Sequence, residues 1–337
     1  MIICIAEDRK GFQPSIKLLI LSILEHCPQL KIYLIFPPAD SAFTSWLTGH
    51  PQVLLRTTPL PTAYGVNVKP QAILQLLHDG HDDVLWIDSD IIVAGDVRKA
   101  LANLDTRTLV LTEEALWTPY GDPDGMRARM WGFKVGRVLP FALNSGVVRA
   151  TRQHERLLVR WRELLESEQY RAAQHKEWHS RPLHMVSDQD VLTALLASKE
   201  FAHVPLKFLL RGRDIVQFFG PYGYTLRERL AHLAGHRPAF IHSQGPKPWL
   251  WERRKRQRRS ARQYLYDLYL ELSPYTLAAR KYRMALKEPT LWMSSRSLAG
   301  ATLRALGFWY APLVGLPVAA VADVVRLLKP YLPRSKE

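Results

Sequence analysis

The chain has 337 residues, 47% hydrophobic and 23% charged, which is a globular composition and excludes a polymer too polar to build a core. Its net charge of +15 is uneven: residues 251–337 carry 17 Lys and Arg against 6 Asp and Glu, whereas residues 1–250 carry 29 against 25. The basic character therefore belongs to the last quarter and marks a separate task there, while two cysteines exclude a disulfide framework and fit a reducing compartment.

The opening MIICIAED turns acidic after six residues, which is not the pattern of a secretory leader. Residues 2–6 read as a strand with Glu7, Asp8 and Arg9 at its carboxyl end, and Pro14 suits the first turn of a helix running to His26. A strand at 31–36, a short helix at 42–47, a strand at 53–55 and a helix at 69–78 follow. This alternation predicts an α/β fold with a doubly wound, mostly parallel sheet flanked by helices.

Residues 83–93, DVLWIDSDIIV, are the stretch around which the rest is organised. Residues 84–87 read as a buried parallel strand and 91–93 as its continuation. Alternate residues of an extended chain project to one side, so Asp88 and Asp90 aim at one point. The place is the carboxyl end of a strand, where open α/β sheets bind ligands. Two converging carboxylates suit a hard divalent cation, which in turn suits a diphosphate. The plain alternative is a solvated strand terminus. Two further D-x-D pairs have local explanations: Asp122 and Asp124 lie in the turn GDPDG, and Asp188 reads as a helix N-cap.

Beyond residue 93 a short helix at 97–104, a strand at 108–112 and a long binding-loop segment at 115–140 are expected. Residues 142–149, ALNSGVVR, read as a strand interrupted at Asn144-Ser145-Gly146, where a bulge would re-aim side chains. Helices at 153–168 and 188–198 flank a loop rich in His and Arg, and a last strand at 239–242 delivers HSQGPKPW. His242 there either completes a metal site with Asp88 and Asp90 or is a capped loop histidine. Gly245 permits close backbone approach to a ligand, and Lys247 is a mobile point charge suited to phosphate. Lys69, at a helix N-terminus, is either a solvated charge or a phosphate contact. Asp188 or Gln189 would meet sugar hydroxyls.

The ordered set strand-Glu7-Asp8, Lys69, WIDSDIIV, LNSGVV, SDQDVLTALL and HSQGPKPW resembles the retaining glycosyltransferases of family eight. That family has a GT-A fold and includes bacterial lipopolysaccharide hexosyltransferases and glycogenin. The resemblance covers residues 1–252. It implies that Asp88, Asp90 and His242 ligate Mn²⁺ or Mg²⁺, and that Asp8, Lys69, Asp88, Asn144, Gly245 and Lys247 bind the donor. Asp188 and Gln189 would act around the transferred sugar. The implied activity is transfer of a hexose, with retention, from a nucleotide-sugar donor, UDP-linked, to a glycan or lipid-linked acceptor. One departure is in the last motif, where Pro246 alone separates Gly245 from Lys247 and the family has two residues. Two rivals are a metal-dependent nucleotidyltransferase and a catalytically silent membrane- or RNA-binding protein on the same fold.

Residues 253–337 read as a basic, aromatic helical extension. Seven of the ten residues in 253–262 are basic, an amphipathic Tyr-rich segment follows, and 305–322 is an uncharged run broken by Pro312, Gly315 and Pro317. Basic residues beside aromatics and an apolar stripe fit an anionic membrane surface rather than nucleic acid. The breaks favour an interfacial segment over a spanning helix. The expected location is the cytoplasmic face of the membrane, with residues 1–252 as the catalytic domain.

Overall fold

This computed structural model describes residues 1–61, 65–114, 122–220, 223–253, 260–288, 290–294 and 297–328. The chain forms two compact units. One comprises residues 1–13, 27–89 and 101–211; the other comprises 14–26, 90–100 and 212–337. Contacts thus group residues 212–253 with the C-terminal helices.

The first unit is built on a seven-stranded sheet. Its strands are β1 (Ile2–Ala6), β2 (Ile32–Ile35), β3 (Val53–Arg56), β4 (Asp83–Ile87), β6 (Leu109–Glu113), β7 (Leu143–Thr151) and β8 (Leu206–Leu209). They lie in the order β3-β2-β1-β4-β7-β6-β8. The pairs β2–β3, β1–β2, β1–β4 and β6–β8 are parallel, and only β7 runs against its neighbours β4 and β6. The expected mixed, mostly parallel α/β sheet is present. The helices Lys69–His78, Glu155–Glu166 and Asp188–Ala197 cover it, and Trp86, Trp161, Leu76, Val148 and Leu195 join in one core. The central strands β1, β4 and β7 bury nearly all their side chains on both faces, whereas the edge strands β3 and β8 are only partly buried. Pro70 stands in the first turn of Lys69–His78, where its missing N–H has no partner to lose.

The second unit holds a small sheet in the order β5-β10-β9, made of β5 (Ile91–Val93), β9 (Ile215–Gln217) and β10 (Phe240–His242). Residues 91–93 therefore do not continue β4. The chain turns at Ser89 and Asp90, and Ile91–Val93 pairs antiparallel with β10. Asp88 and Asp90 flank a turn rather than alternating along a strand. The helix Gln13–His26 belongs almost wholly to this unit and buries Ile16, Leu19, Ile20 and Ile23, as its apolar spacing predicts. It also buries Lys17, whose ammonium pairs with Glu288 at 2.6 Å.

Other expectations shift in detail. The helix at 97–104 contracts to Val97–Ala100. Residues 143–151 form one strand, and the irregularity lies in its pairing: the register against β6 jumps from Val110↔Arg149 to Thr112↔Asn144. The loop rich in His and Arg contains a helix, Glu168–Gln174, and the described part of the 115–140 segment contains another, Met126–Met130. Asp124 takes the left-handed backbone that turn chemistry predicts, with φ of 55°. Residues 115–121 and the basic core of 253–262, residues 254–259, lie outside the described residues. The C-terminal quarter is helical at Ala261–Glu271, Pro274–Ala279, Leu298–Leu306 and Leu316–Leu328, and among the described residues no helix is long and apolar enough to cross a membrane.

Candidate active site

The sequence candidates gather in two clusters, one in each unit. In the first, β4 ends on Trp86 and Ile87 and presents Asp88. The Trp86 indole donates to Asp88 Oδ1 at 2.7 Å. Lys69, buried at the head of its helix, lies 3.2 Å from Asp88 Oδ1 and 3.3 Å from Asp188 Oδ2. Its ammonium also donates to Ser145 Oγ at 2.7 Å, and that hydroxyl donates to Asp188 Oδ2 at 2.7 Å. Burial opposes the charge on Lys69, but Asp188 and Asp88 outweigh it and hold the ammonium above its ordinary range. One buried cation thus ties the first carboxylate of the DSD motif to the first residue of the helix Asp188–Ala197.

The cap of that helix differs from the expectation. Ser187, not Asp188, is the N-cap, and Asp190 returns its carboxylate to the Ser187 N–H at 3.1 Å. Asp188 is therefore released from capping and turned toward Lys69. Asp190 also meets the buried guanidinium of Arg127 at 2.9 Å, and Arg127 reaches Asp122 at 3.2 Å. Asn144 and Gln189 both donate to Glu114, at 3.0 and 2.8 Å. At the end of β1 it is Glu7, not Asp8, that is buried. Glu7 takes Arg9 at 2.7 and 2.8 Å and Ser89 Oγ at 2.6 Å, while Asp8 is exposed.

In the second unit Asp90 and His242 are both buried, at 8% and 3% exposure. Asp90 Oδ1 lies 3.3 Å from His242 Nε2, and among the described residues neither Asp90 Oδ1 nor His242 Nδ1 has a well-formed hydrogen bond. The other carboxylate oxygen, Oδ2, accepts from the Lys247 ammonium. Lys247 donates as well to the carbonyls of Ser243 at 2.6 Å and Gln244 at 3.2 Å. The turn is closed by Ser243 Oγ donating to Pro246 O at 2.7 Å. Burial opposes ionisation of Asp90, but Lys247 and His242 outweigh it and hold the carboxyl well below the usual range. Gly245 comes close to protein: a Cβ there would stand 3.1 Å from Phe219 Cα. Trp249 packs the turn, its ring 5.3 Å from that of the buried Tyr275.

Buried polar atoms are normally hydrogen-bonded, and a carboxylate oxygen and an imidazole nitrogen left without such a bond are ligand atoms of the kind a divalent cation takes. The residues fit a divalent metal on that ground. Sequence reasoning missed Glu114 and Arg127 as members of the first cluster and took Ser145 only as part of a bulge. For Glu114 a signal existed: it is a carboxylate directly after an apolar strand, the same rule that singles out Asp88.

No sequence family matches the chain, and no curated protein matches it in sequence. Solved structures similar to it include the galactosyltransferase LgtC with donor and acceptor sugar analogues, at 15% identity and a TM-score of 0.48, covering 85% of this chain and 100% of that one. The glycosyltransferase GlyE of Streptococcus pneumoniae is similar at 17% identity and a TM-score of 0.44, over 86% of this chain and 64% of its own. The bifunctional glycosyltransferase WbbM matches at 16% identity and a TM-score of 0.48, over 84% of this chain, which spans 52% of its length.

Proposed function

We propose that the chain is a metal-dependent, retaining glycosyltransferase of GT-A type, moving a hexose from a UDP-linked donor to a glycan acceptor. The observation that carries this reading is the buried Asp90–His242 pair with an unpartnered atom on each residue. Asp88 would be the third ligand; two residues apart on one chain, its Cα lies within about 7 Å of that of Asp90 whatever the backbone does. The trio offers two carboxylate oxygens and one imidazole, a set that suits Mn²⁺ or Mg²⁺. When bound, such a cation supplies Lewis-acid neutralisation of a leaving diphosphate.

The chain's own residues do the rest. Lys247 adds positive potential for the diphosphate once a cation competes for Asp90, and Lys69 holds Asp88 and Asp188 in place. Asp188 and Gln189 orient the transferred sugar, and Asp8, Asn144 and Gly245 complete the donor contacts. The acceptor is a glycan or a lipid-linked glycan; the exposed Leu298, Leu306, Phe308, Trp309, Val321 and Leu327 of the second unit support association with a membrane surface.

The test is a screen of nucleotide sugars for donor hydrolysis, with metal-stripped protein and with Mn²⁺ restored. Release of nucleoside diphosphate is expected with metal only, and Asp90→Ala should lose it by about 100-fold or more while staying folded. Pyrophosphate as the product would mean a nucleotidyltransferase. Turnover that survives both chelation and Asp90→Ala would remove the metal assignment.

A further inference from the structure

Glu114 directly follows β6, and its side chain is 1% exposed. One oxygen, Oε2, accepts from both Asn144 Nδ2 at 3.0 Å and Gln189 Nε2 at 2.8 Å. Asn144 Nδ2 also lies 3.3 Å from Gln189 Oε1, and the Gly146 N–H donates to Asn144 Oδ1 at 2.9 Å. All four residues belong to the first unit.

The chemistry of these groups removes an ambiguity. A primary amide has an accepting end and a donating end of nearly the same shape, whereas a carboxylate has acceptors only. Whatever amide faces Glu114 must therefore turn its NH₂ toward it. That choice commits the oxygens. Asn144 Oδ1 is engaged by the Gly146 amide, and Gln189 Oε1 takes the Asn144 donor on one of its two lone pairs, leaving the other for a ligand. Gln189 stands in the first turn of the helix Asp188–Ala197, beside Asp188, which Ser145 and Lys69 hold.

We infer that Glu114 is a positioning residue that sets the orientation of the Asn144 and Gln189 amides, so that Gln189 presents its carbonyl oxygen and not its NH₂ to the sugar. The inference rests on the glycosyltransferase reading. A carbonyl oxygen accepts a sugar hydroxyl and stabilises positive charge that develops at the anomeric carbon as the donor bond breaks. An NH₂ in the same place would oppose that charge. Glu114 acts through Gln189 and touches no reacting atom.

Glu114→Gln keeps the shape but offers a donating as well as an accepting end, so the amides lose their fixed sense. The experiment compares wild type, Glu114→Gln and Glu114→Asp in two ways. The first needs no substrate: side-chain amide protons of ¹⁵N-labelled Asn144 and Gln189 are followed by NMR for hydrogen exchange. Both should exchange slowly in wild type, and both should lose protection together in Glu114→Gln. The second is kinetic: in Glu114→Gln, kcat should fall about tenfold or more with the donor KM within about threefold, and Glu114→Asp should recover part of the loss. Fast exchange at Gln189 in wild type, unchanged protection in a folded Glu114→Gln, or an unchanged kcat overturns the inference. If Glu114→Gln does not fold, exchange in wild type and in Glu114→Asp still decides it. Absence of turnover in wild type on every nucleotide sugar would instead sink the glycosyltransferase reading, while the exchange data decide the amide orientation.

Discussion

Lys247 shows how a single side chain acquires its role from the turn that carries it. With only Pro246 between it and Gly245, the ammonium folds back onto the Ser243 and Gln244 carbonyls and onto Asp90. It neutralises a buried carboxylate through Oδ2, and a divalent cation on Oδ1 would compete for the charge of the same carboxylate. Two consequences separate its possible tasks. If the released ammonium meets the diphosphate, Lys247→Ala should weaken UDP binding by about tenfold, the range of one charge-assisted hydrogen bond. If it also shields Asp90, the same variant should bind Mn²⁺ at least as tightly as wild type does. Calorimetry with UDP and with Mn²⁺, run separately, reads both. Equal UDP affinity in the two proteins would mean that the short turn keeps Lys247 on Asp90 throughout.

At the scale of the element, the helix Asp188–Ala197 is held at its N-terminus by a carboxylate with an unusual environment. Asp190 accepts from the N–H and hydroxyl of Ser187 and from Arg127, yet its burial prevails and pushes the carboxyl up to about 6. Asp188, facing the same helix end, adds to the rise. The folded protein thus binds this proton more tightly than the unfolded chain does. The stability that follows is fully present below the ordinary carboxylate pKa of about 4 and is lost as pH rises through about 6. Relative to Asp190→Asn, which has no such proton, wild type should lose about 2 kcal/mol between pH 4 and pH 7. Urea unfolding of both proteins across that range measures it. A stability difference that stays level with pH would show that Arg127 keeps Asp190 an ordinary carboxylate.

At the scale of the whole molecule, the C-terminal quarter is part of a folded unit. Tyr275 and Trp292 are buried with Trp249, and Arg304 forms a buried pair with Glu271 at 3.2 Å. Truncation near residue 300 would leave Glu271 without that partner, a loss of the kind that costs about 3–5 kcal/mol. Point substitutions are the better probe of membrane association. Each Lys or Arg near an anionic surface contributes about 1 kcal/mol, screened beyond a Debye length of about 8 Å at physiological salt. Neutral residues across 253–259 should therefore remove a salt-sensitive part of vesicle binding. Replacing the exposed Leu298, Phe308 and Leu327 with Ser should remove a salt-resistant part. Neither change touches the proposed site, so donor hydrolysis in solution should persist in both. Protein left in the supernatant with anionic vesicles at low salt would end the membrane proposal.

The sequence by itself determined most of the local elements. Lys69–His78 falls on its expected residues because Pro70 and an apolar face are local signals, and the strands of the first unit other than β8 follow from apolar runs too short to be helices. Asp88, Asp90, Asp188 and His242 were legible for a related reason: a carboxylate or imidazole directly after an apolar strand or at a helix head is conspicuous in one dimension. Pairing was not. That Ile91–Val93 leaves the main sheet for β10, and that the short β8 and β9 find partners at all, depends on residues far along the chain. The same holds for Glu114, which looks like one acidic residue among many until β7 and the helix Asp188–Ala197 bring two amides to it. A side chain's type is written in the sequence. Its partner is chosen by the closure of long loops over a buried core, where leaving a polar group unpaired costs more than the bond itself is worth, and that choice is made only in three dimensions.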